Sequence, residues 1–155
     1  MGNIKSVLFV CTGNSCRSVM AEGLLKKRLA DLGKNDIEVN SAGIIALTGF
    51  PPTQETVDVM KEAGVDVSGL KSKALTDEMI KTADLILVME PLHKADVVNR
   101  APEASSKTYL LHEFGNSGKS KEEYGVPDPI GKTIEYYKRC MRKIDEDIKR
   151  IAELI

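Results

Sequence analysis

Long apolar runs, an excess of either charge and paired cysteines are all missing from this chain of 155 residues. No stretch is long or apolar enough to span a bilayer, and the opening residues do not read as a signal peptide. Lysine and arginine number 22 against 23 aspartates and glutamates, so the formal net charge is -1 and no overall basic field recruits nucleic acid or an anionic membrane. Any positive potential has to be local. Three cysteines cannot all pair. The two histidines, His93 and His112, have no ligand-spaced partner among the cysteines, which argues against a metal and for ordinary surface or helix residues. Tryptophan, internal repeats and low-complexity segments are absent as well, and the length suits one domain over residues 1–155. The opening Met1-Gly2-Asn3-Ile4-Lys5-Ser6 matches the short acylation pattern, but a core strand is expected to begin at once, leaving no spacer for an anchor.

What is present is an alternation of strand-like and helix-like segments. It predicts an α/β fold of three layers, a four-stranded parallel sheet with helices on both faces. The expected strands are Ile4 to Val10, Ile37 to Ser41, Asp84 to Met89 and Thr108 to Leu111. The first helix runs from Ser18 to Leu32, with Met20, Leu24 and Leu29 inward and Gly33 as its stop. Thr53 caps a second helix with Val57 and Met60 inward, Thr76 caps a short third to Thr82, and Pro91 starts a fourth to about Asn99. The polar stretch Gly115 to Val126 is expected to be mobile. From about Thr133 a last helix carries Ile134, Tyr137, Met141, Ile144, Ile148 and Ile151 as one stripe, read as packed on the sheet in preference to a dimerising seam. That leaves a monomer or a weak homodimer.

The most informative residues lie between the first strand and the first helix. Cys11-Thr12-Gly13-Asn14-Ser15-Cys16-Arg17-Ser18 puts a cysteine and an arginine six positions apart. Such a junction is an anion site, because turn N–H groups form a nest and the helix adds its own N–H groups and positive dipole end. Gly13 and Asn14 both suit a loop that wraps one tetrahedral group. Arg17 can clasp two oxygens with its planar fork, and Cys11 at the bottom of this positive bowl is favoured as a thiolate nucleophile. Ser18 is placed either to hydrogen-bond the sulfur or to cap the helix. The ending is not that of a Walker loop or of a dinucleotide fingerprint. Expelling an alkoxide or phenoxide also needs a proton donor, and Asp128, held out of any helix by Pro127 and Pro129, is the candidate.

The loop, with Met20-Ala21-Glu22 after it and Val126-Pro127-Asp128-Pro129 far down the chain, resembles the low-molecular-weight protein tyrosine phosphatases over nearly the whole length. The resemblance implies that Cys11 attacks phosphorus, Arg17 and the loop from Thr12 to Ser18 bind the phosphoryl oxygens, and Asp128 protonates the leaving group. It implies a phosphorylated protein or peptide as substrate, inorganic phosphate as product, and no metal or other cofactor. Asn14, Ser18 and Ser41 match positions that support the loop, whereas Leu70 stands where many relatives have a histidine and Val19 replaces the usual proline. Cys11 and Cys16 match a pair that forms a reversible disulfide; a plain buried thiol is the other reading of Cys16. A thiolate enzyme needs reducing conditions, so a cytoplasmic location is expected.

Substrate preference is read from the rim. Phe50 and Ile130 can hold an aryl ring between them, which favours phosphotyrosine, while the small polar Ser15 resembles the protein arginine phosphatases of the same family. A thioredoxin-coupled arsenate reductase would need two further relay cysteines, and Leu87 to Val97 contains none. A non-catalytic phosphate-binding module would have no use for both Cys11 and Asp128.

Overall fold

The β-branched run near the N-terminus forms strand β1 (Ser6–Cys11) at the centre of the sheet in the computed structural model, whose described residues are 3–116 and 125–155. The acylation pattern at Met1-Gly2 and residues 117–124 of the expected mobile stretch lie outside the described residues. After β1 come α1 (Arg17–Asp31), β2 (Glu38–Gly43), α2 (Gln54–Glu62), α3 (Asp77–Thr82), β3 (Leu85–Val88), α4 (Pro91–Arg100), β4 (Thr108–Leu110) and α5 (Ile134–Leu154). The four strands lie in the order β2-β1-β3-β4 and every pairing is parallel. The expected three-layer α/β architecture is therefore the one observed.

Side chains of β1 alternate between two cores with the strand period of two. Val7, Phe9 and Cys11 join α1, α2 and α5, whereas Leu8 and Val10 join Ile80 of α3 and Val97 of α4. Phe9 lies in register with Ser41 on one side and Leu87 on the other. Thr53, Thr76 and Thr133 each cap their helix by accepting a backbone N–H, as their positions before an apolar periodic run predict.

Several expectations need correction. The first strand starts at Ser6 because the N–H groups of Lys5 and Ser6 are tied to the Asp84 carboxylate at 2.8 and 3.1 Å. The last helix rests chiefly on α1 and α2 and only partly on the sheet. Its buried stripe differs from the predicted one: Tyr137, Cys140, Ile144, Asp147, Ile148, Ile151 and Ala152 are buried, whereas Met141 is only partly buried and Ile134 is 40% exposed at the helix start. A 3-10 turn forms at Pro102–Lys107, where one proline and small polar residues carry no periodicity. Among the described residues no helix is long and apolar enough to cross a membrane.

Candidate active site

Residues 12–16 leave the C-terminal end of β1 and turn at once into α1, the place where open α/β sheets bind ligands. The loop's carbonyls are held from outside. Those of Cys11, Thr12 and Ser15 accept the N–H groups of Ile44, Ile45 and Thr53 at 2.9, 2.9 and 3.1 Å, and that of Cys16 accepts Met20 N–H at 2.8 Å. The N–H groups of Gly13, Ser15 and Cys16 make no hydrogen bond to a described residue, which leaves these donors available to an anion. Of the two residues expected to suit the loop, Asn14 adopts a left-handed φ of 55° and Gly13 does not. The glycine that geometry demands is Gly43 at the end of β2: a Cβ there would stand 2.6 Å from the Thr12 carbonyl and 2.9 Å from Asn14 N.

Cys11 is buried beneath this loop. Its Sγ lies 2.9 Å from Ser18 Oγ and accepts Asn14 N–H at 3.3 Å. Proton directions follow from the partners. Asn14 Nδ2 gives its two protons to Ser18 Oγ (2.8 Å) and Ser41 Oγ (2.9 Å), while Asn14 Oδ1 accepts Lys73 N–H at 2.8 Å. Ser41 then donates to Glu22 Oε1 at 2.6 Å. The Ser18 proton is left for sulfur. Since the helix start shows no side-chain cap, Ser18 serves the sulfur and not the cap.

Arg17 is only 2% exposed, and its guanidinium is clasped at both ends. Nη1 donates to the Glu90 carboxylate and, at 2.8 Å, to the Val126 carbonyl. Nη2 is 3.4 Å from Thr12 Oγ1 and 3.7 Å from Asp128 Oδ2. Nε is buried and has no hydrogen-bond partner among the described residues. Gly125 makes the Val126 contact possible, because a Cβ at 125 would come within 2.7 Å of the Met89 carbonyl that anchors Val126 N–H. Asp128 is 42% exposed at its side chain, and Oδ1 accepts Ile130 N–H at 3.1 Å in a local turn. A buried thiol bonded within the loop, a buried arginine at the loop's end with an unpartnered Nε–H, and a half-exposed carboxyl 3.7 Å from that arginine thus make up the candidate site.

Residues 6–155 match the model of the family described as "Low molecular weight phosphotyrosine protein phosphatase". The chain belongs to this family. It is 34% identical to a probable low molecular weight protein-tyrosine-phosphatase, EpsP, of Ralstonia nicotianae, covering 97% of this chain and 99% of the relative. It is 37% identical to a protein-arginine-phosphatase of Geobacillus stearothermophilus, covering 95% and 93%. The crystal structure of a low molecular weight protein tyrosine phosphatase from T. tengcongensis superposes with a TM-score of 0.88 at 41% identity, covering 97% of this chain and 99% of that one.

Of the phosphatase-type residues expected from sequence, the structure brings together Cys11, Thr12, Asn14, Arg17, Ser18, Ser41 and Asp128. Ser15 flanks them in the loop with its Oγ 3.8 Å from Cys16 Sγ. Phe50 and Ile130 are 56% and 52% exposed on the segments after β2 and after Asp128. Cys16 is buried, and burial followed by the charge of Cys11 pushes its thiol up to about 11. Cys140, also buried, is pushed up to about 12, chiefly by burial. Leu70 packs half-buried against the main core, and the support network does not stop for want of a histidine there, because it closes on Glu22.

Three members of the site were not foreseen. Glu22 is buried and paired to Lys26 Nζ at 2.6 Å, one turn beyond Ser18 on the same helix. Glu90 and His93 open α4, and His93, expected to be an ordinary surface or helix residue, lies in that helix and is fully buried. The pattern Glu90-Pro91-Leu92-His93 at a helix start was the available signal, since side chains at the cap and three residues on meet each other's backbone.

Proposed function

We propose that this protein is a cysteine-dependent protein phosphatase acting on phosphotyrosine. Its support is the placing of Arg17: a buried cation with an unshared Nε–H, beside the loop donors and 3.7 Å from Asp128 Oδ2. A phosphoryl dianion enters the loop, held by backbone N–H groups and by Arg17. Cys11 attacks phosphorus in line as the thiolate, steadied by hydrogen bonds from Ser18 and Asn14 N–H. Protonated Asp128 gives its proton to the leaving oxygen, and the resulting carboxylate then takes a proton from the water that hydrolyses the cysteinyl-phosphate. Inorganic phosphate leaves. Positioning and charge stabilisation carry most of the rate in such a transfer.

Phe50 and Ile130 supply apolar walls for an aryl group, which favours phosphotyrosine. Phosphoarginine is the second reading, favoured by the small hydroxyl of Ser15 and by the 37% identity to a relative named for that activity. Cys16 is read as the resolving thiol that closes a disulfide on oxidised Cys11, and the three free cysteines suit a reducing, cytoplasmic setting. Turnover of matched phosphotyrosine and phosphoarginine peptides by one preparation tests the reading. Faster release from tyrosine, abolished in Cys11→Ser with phosphate still bound, is expected. Asp128→Asn should slow poor leaving groups more than good ones. Absence of turnover on either peptide, or an active Cys11→Ser protein, overturns the assignment.

A further inference from the structure

His93 makes two hydrogen bonds from a position with no exposure to solvent. Nδ1 faces the backbone N–H of Glu90 at 3.0 Å, and Nε2 faces Thr12 Oγ1 at 2.9 Å. A backbone N–H only donates, so Nδ1 is the acceptor. In the neutral ring the proton therefore sits on Nε2 and is donated to Thr12. Thr12 Oγ1 receives a second contact from Arg17 Nη2 at 3.4 Å. On its other side the same imidazole fixes the backbone of Glu90, whose carboxylate holds Arg17 Nη1.

Both ends of the guanidinium fork thus lead back to one ring. We propose that His93 is a positioning residue that splints Arg17, through Thr12 at Nη2 and through Glu90 at Nη1, so that Nε–H stays directed at the phosphoryl oxygens. Two consequences follow from the bond directions. Thr12 Oγ1 has both acceptor positions in use and offers only its O–H to a further partner, so that wall of the site is a donor toward substrate oxygen. Arg17 is also prevented from swinging out along α1, since each Nη nitrogen is stopped by a group whose own position the ring sets. The inference rests on the reading of Arg17 as the oxyanion clamp.

The two arms can be separated by substitution. His93→Gln keeps a donor at the reach of Nε2, whereas His93→Asn keeps an acceptor near Nδ1 and loses the arm to Thr12. Thr12→Val keeps the shape and removes the oxygen. With p-nitrophenyl phosphate as probe, His93→Asn and Thr12→Val should each lose about ten- to a hundredfold in kcat/KM, the scale of a displaced positioning group. The double variant should lose no more than the worse single one, and His93→Gln, which keeps the arm to Thr12, should recover most of the loss and retain a smaller one from the missing acceptor toward Glu90 N–H. A merely structural histidine would instead give equal losses for Gln and Asn that track the melting temperature. Equal losses, additive losses, or an unimpaired Thr12→Val protein overturn the proposal while wild-type turnover stands. Should His93→Asn fail to fold, Thr12→Val and its combination with His93→Gln carry the same comparison. A wild-type protein inactive on the probe brings down this proposal and the function together.

Discussion

Ser41 hands its hydroxyl proton to the buried Glu22 carboxylate over 2.6 Å, and this bond fixes the sense of every hydrogen bond from Glu22 to the Cys11 sulfur. Having donated to Glu22, Ser41 can only accept from Asn14. The Asn14 amide is thereby oriented, and Ser18 is left with a proton for sulfur. Removing one hydroxyl should therefore be felt at both ends. Ser41→Ala leaves a buried amide proton and a buried carboxylate each short of a partner, a cost of about 1–3 kcal/mol. Urea unfolding should report that loss and steady-state kinetics a lower kcat. Glu22→Gln, whose carbonyl still accepts from Ser41, should be milder in both. Wild-type stability and turnover in Ser41→Ala would break the chain of bonds.

Arg17 and Glu90 form an ion pair in which the arginine is almost fully buried and the glutamate side chain is 27% exposed. Glu90→Gln keeps an acceptor but removes the charge, so the ligand-free protein should lose about 2 kcal/mol. A bound oxyanion replaces part of the missing charge. Phosphate or vanadate should consequently raise the melting temperature more in Glu90→Gln than in the wild type. An equal or smaller rise would mean that the glutamate does not balance the arginine.

Thiol chemistry should single out one cysteine of three. Burial holds Cys16 and Cys140 as protonated thiols at neutral pH, with values near 11 and 12. Iodoacetate, itself an anion that the loop can receive, should add one carboxymethyl group, located by peptide mass spectrometry at Cys11 and blocked by phosphate. Labelling of Cys16 at a comparable rate would contradict the arrangement.

Acid sensitivity has a definite sign. Burial, followed by the charge of Arg17, pushes His93 from the usual 6.5 down to about 4. Between those values the unfolded chain binds a proton that the folded chain refuses, so folding stability falls as pH drops through this window and is untouched by His93 above it. The loss is about 3 kcal/mol by pH 4. Urea unfolding at pH 7 and pH 4.5 should show a smaller difference in His93→Gln than in wild type. Equal acid sensitivity in the two would refute the role of this ring.

The fold was legible because its signals are local. Alternating apolar strands, threonine caps and the helix-stopping glycine all act within a few residues. The pairing of Cys11 with Arg17 was legible for the same reason, being one loop. Asp128 was found only because proline on both sides and a known pattern singled it out, since its distance to Arg17 is a matter of tertiary structure. Glu22, Glu90 and His93 escaped because polar and charged residues in a helix ordinarily face water. What draws Glu22 and His93 inside and Glu90 onto Arg17 is tertiary contact that no window of sequence around any of them contains. Ile134 shows the converse: periodicity placed it on the stripe, but it is the first residue of α5 and stays 40% exposed.

In the proposed mechanism Val126 is where clamp and acid are joined. Its carbonyl grips Arg17, its N–H hangs from the Met89 carbonyl, and Asp128 follows two residues later. In the proposed mechanism the segment that carries the acid is therefore tied to the arginine that grips the substrate. An inhibitor wedged under that segment would disable both without ever touching the sulfur.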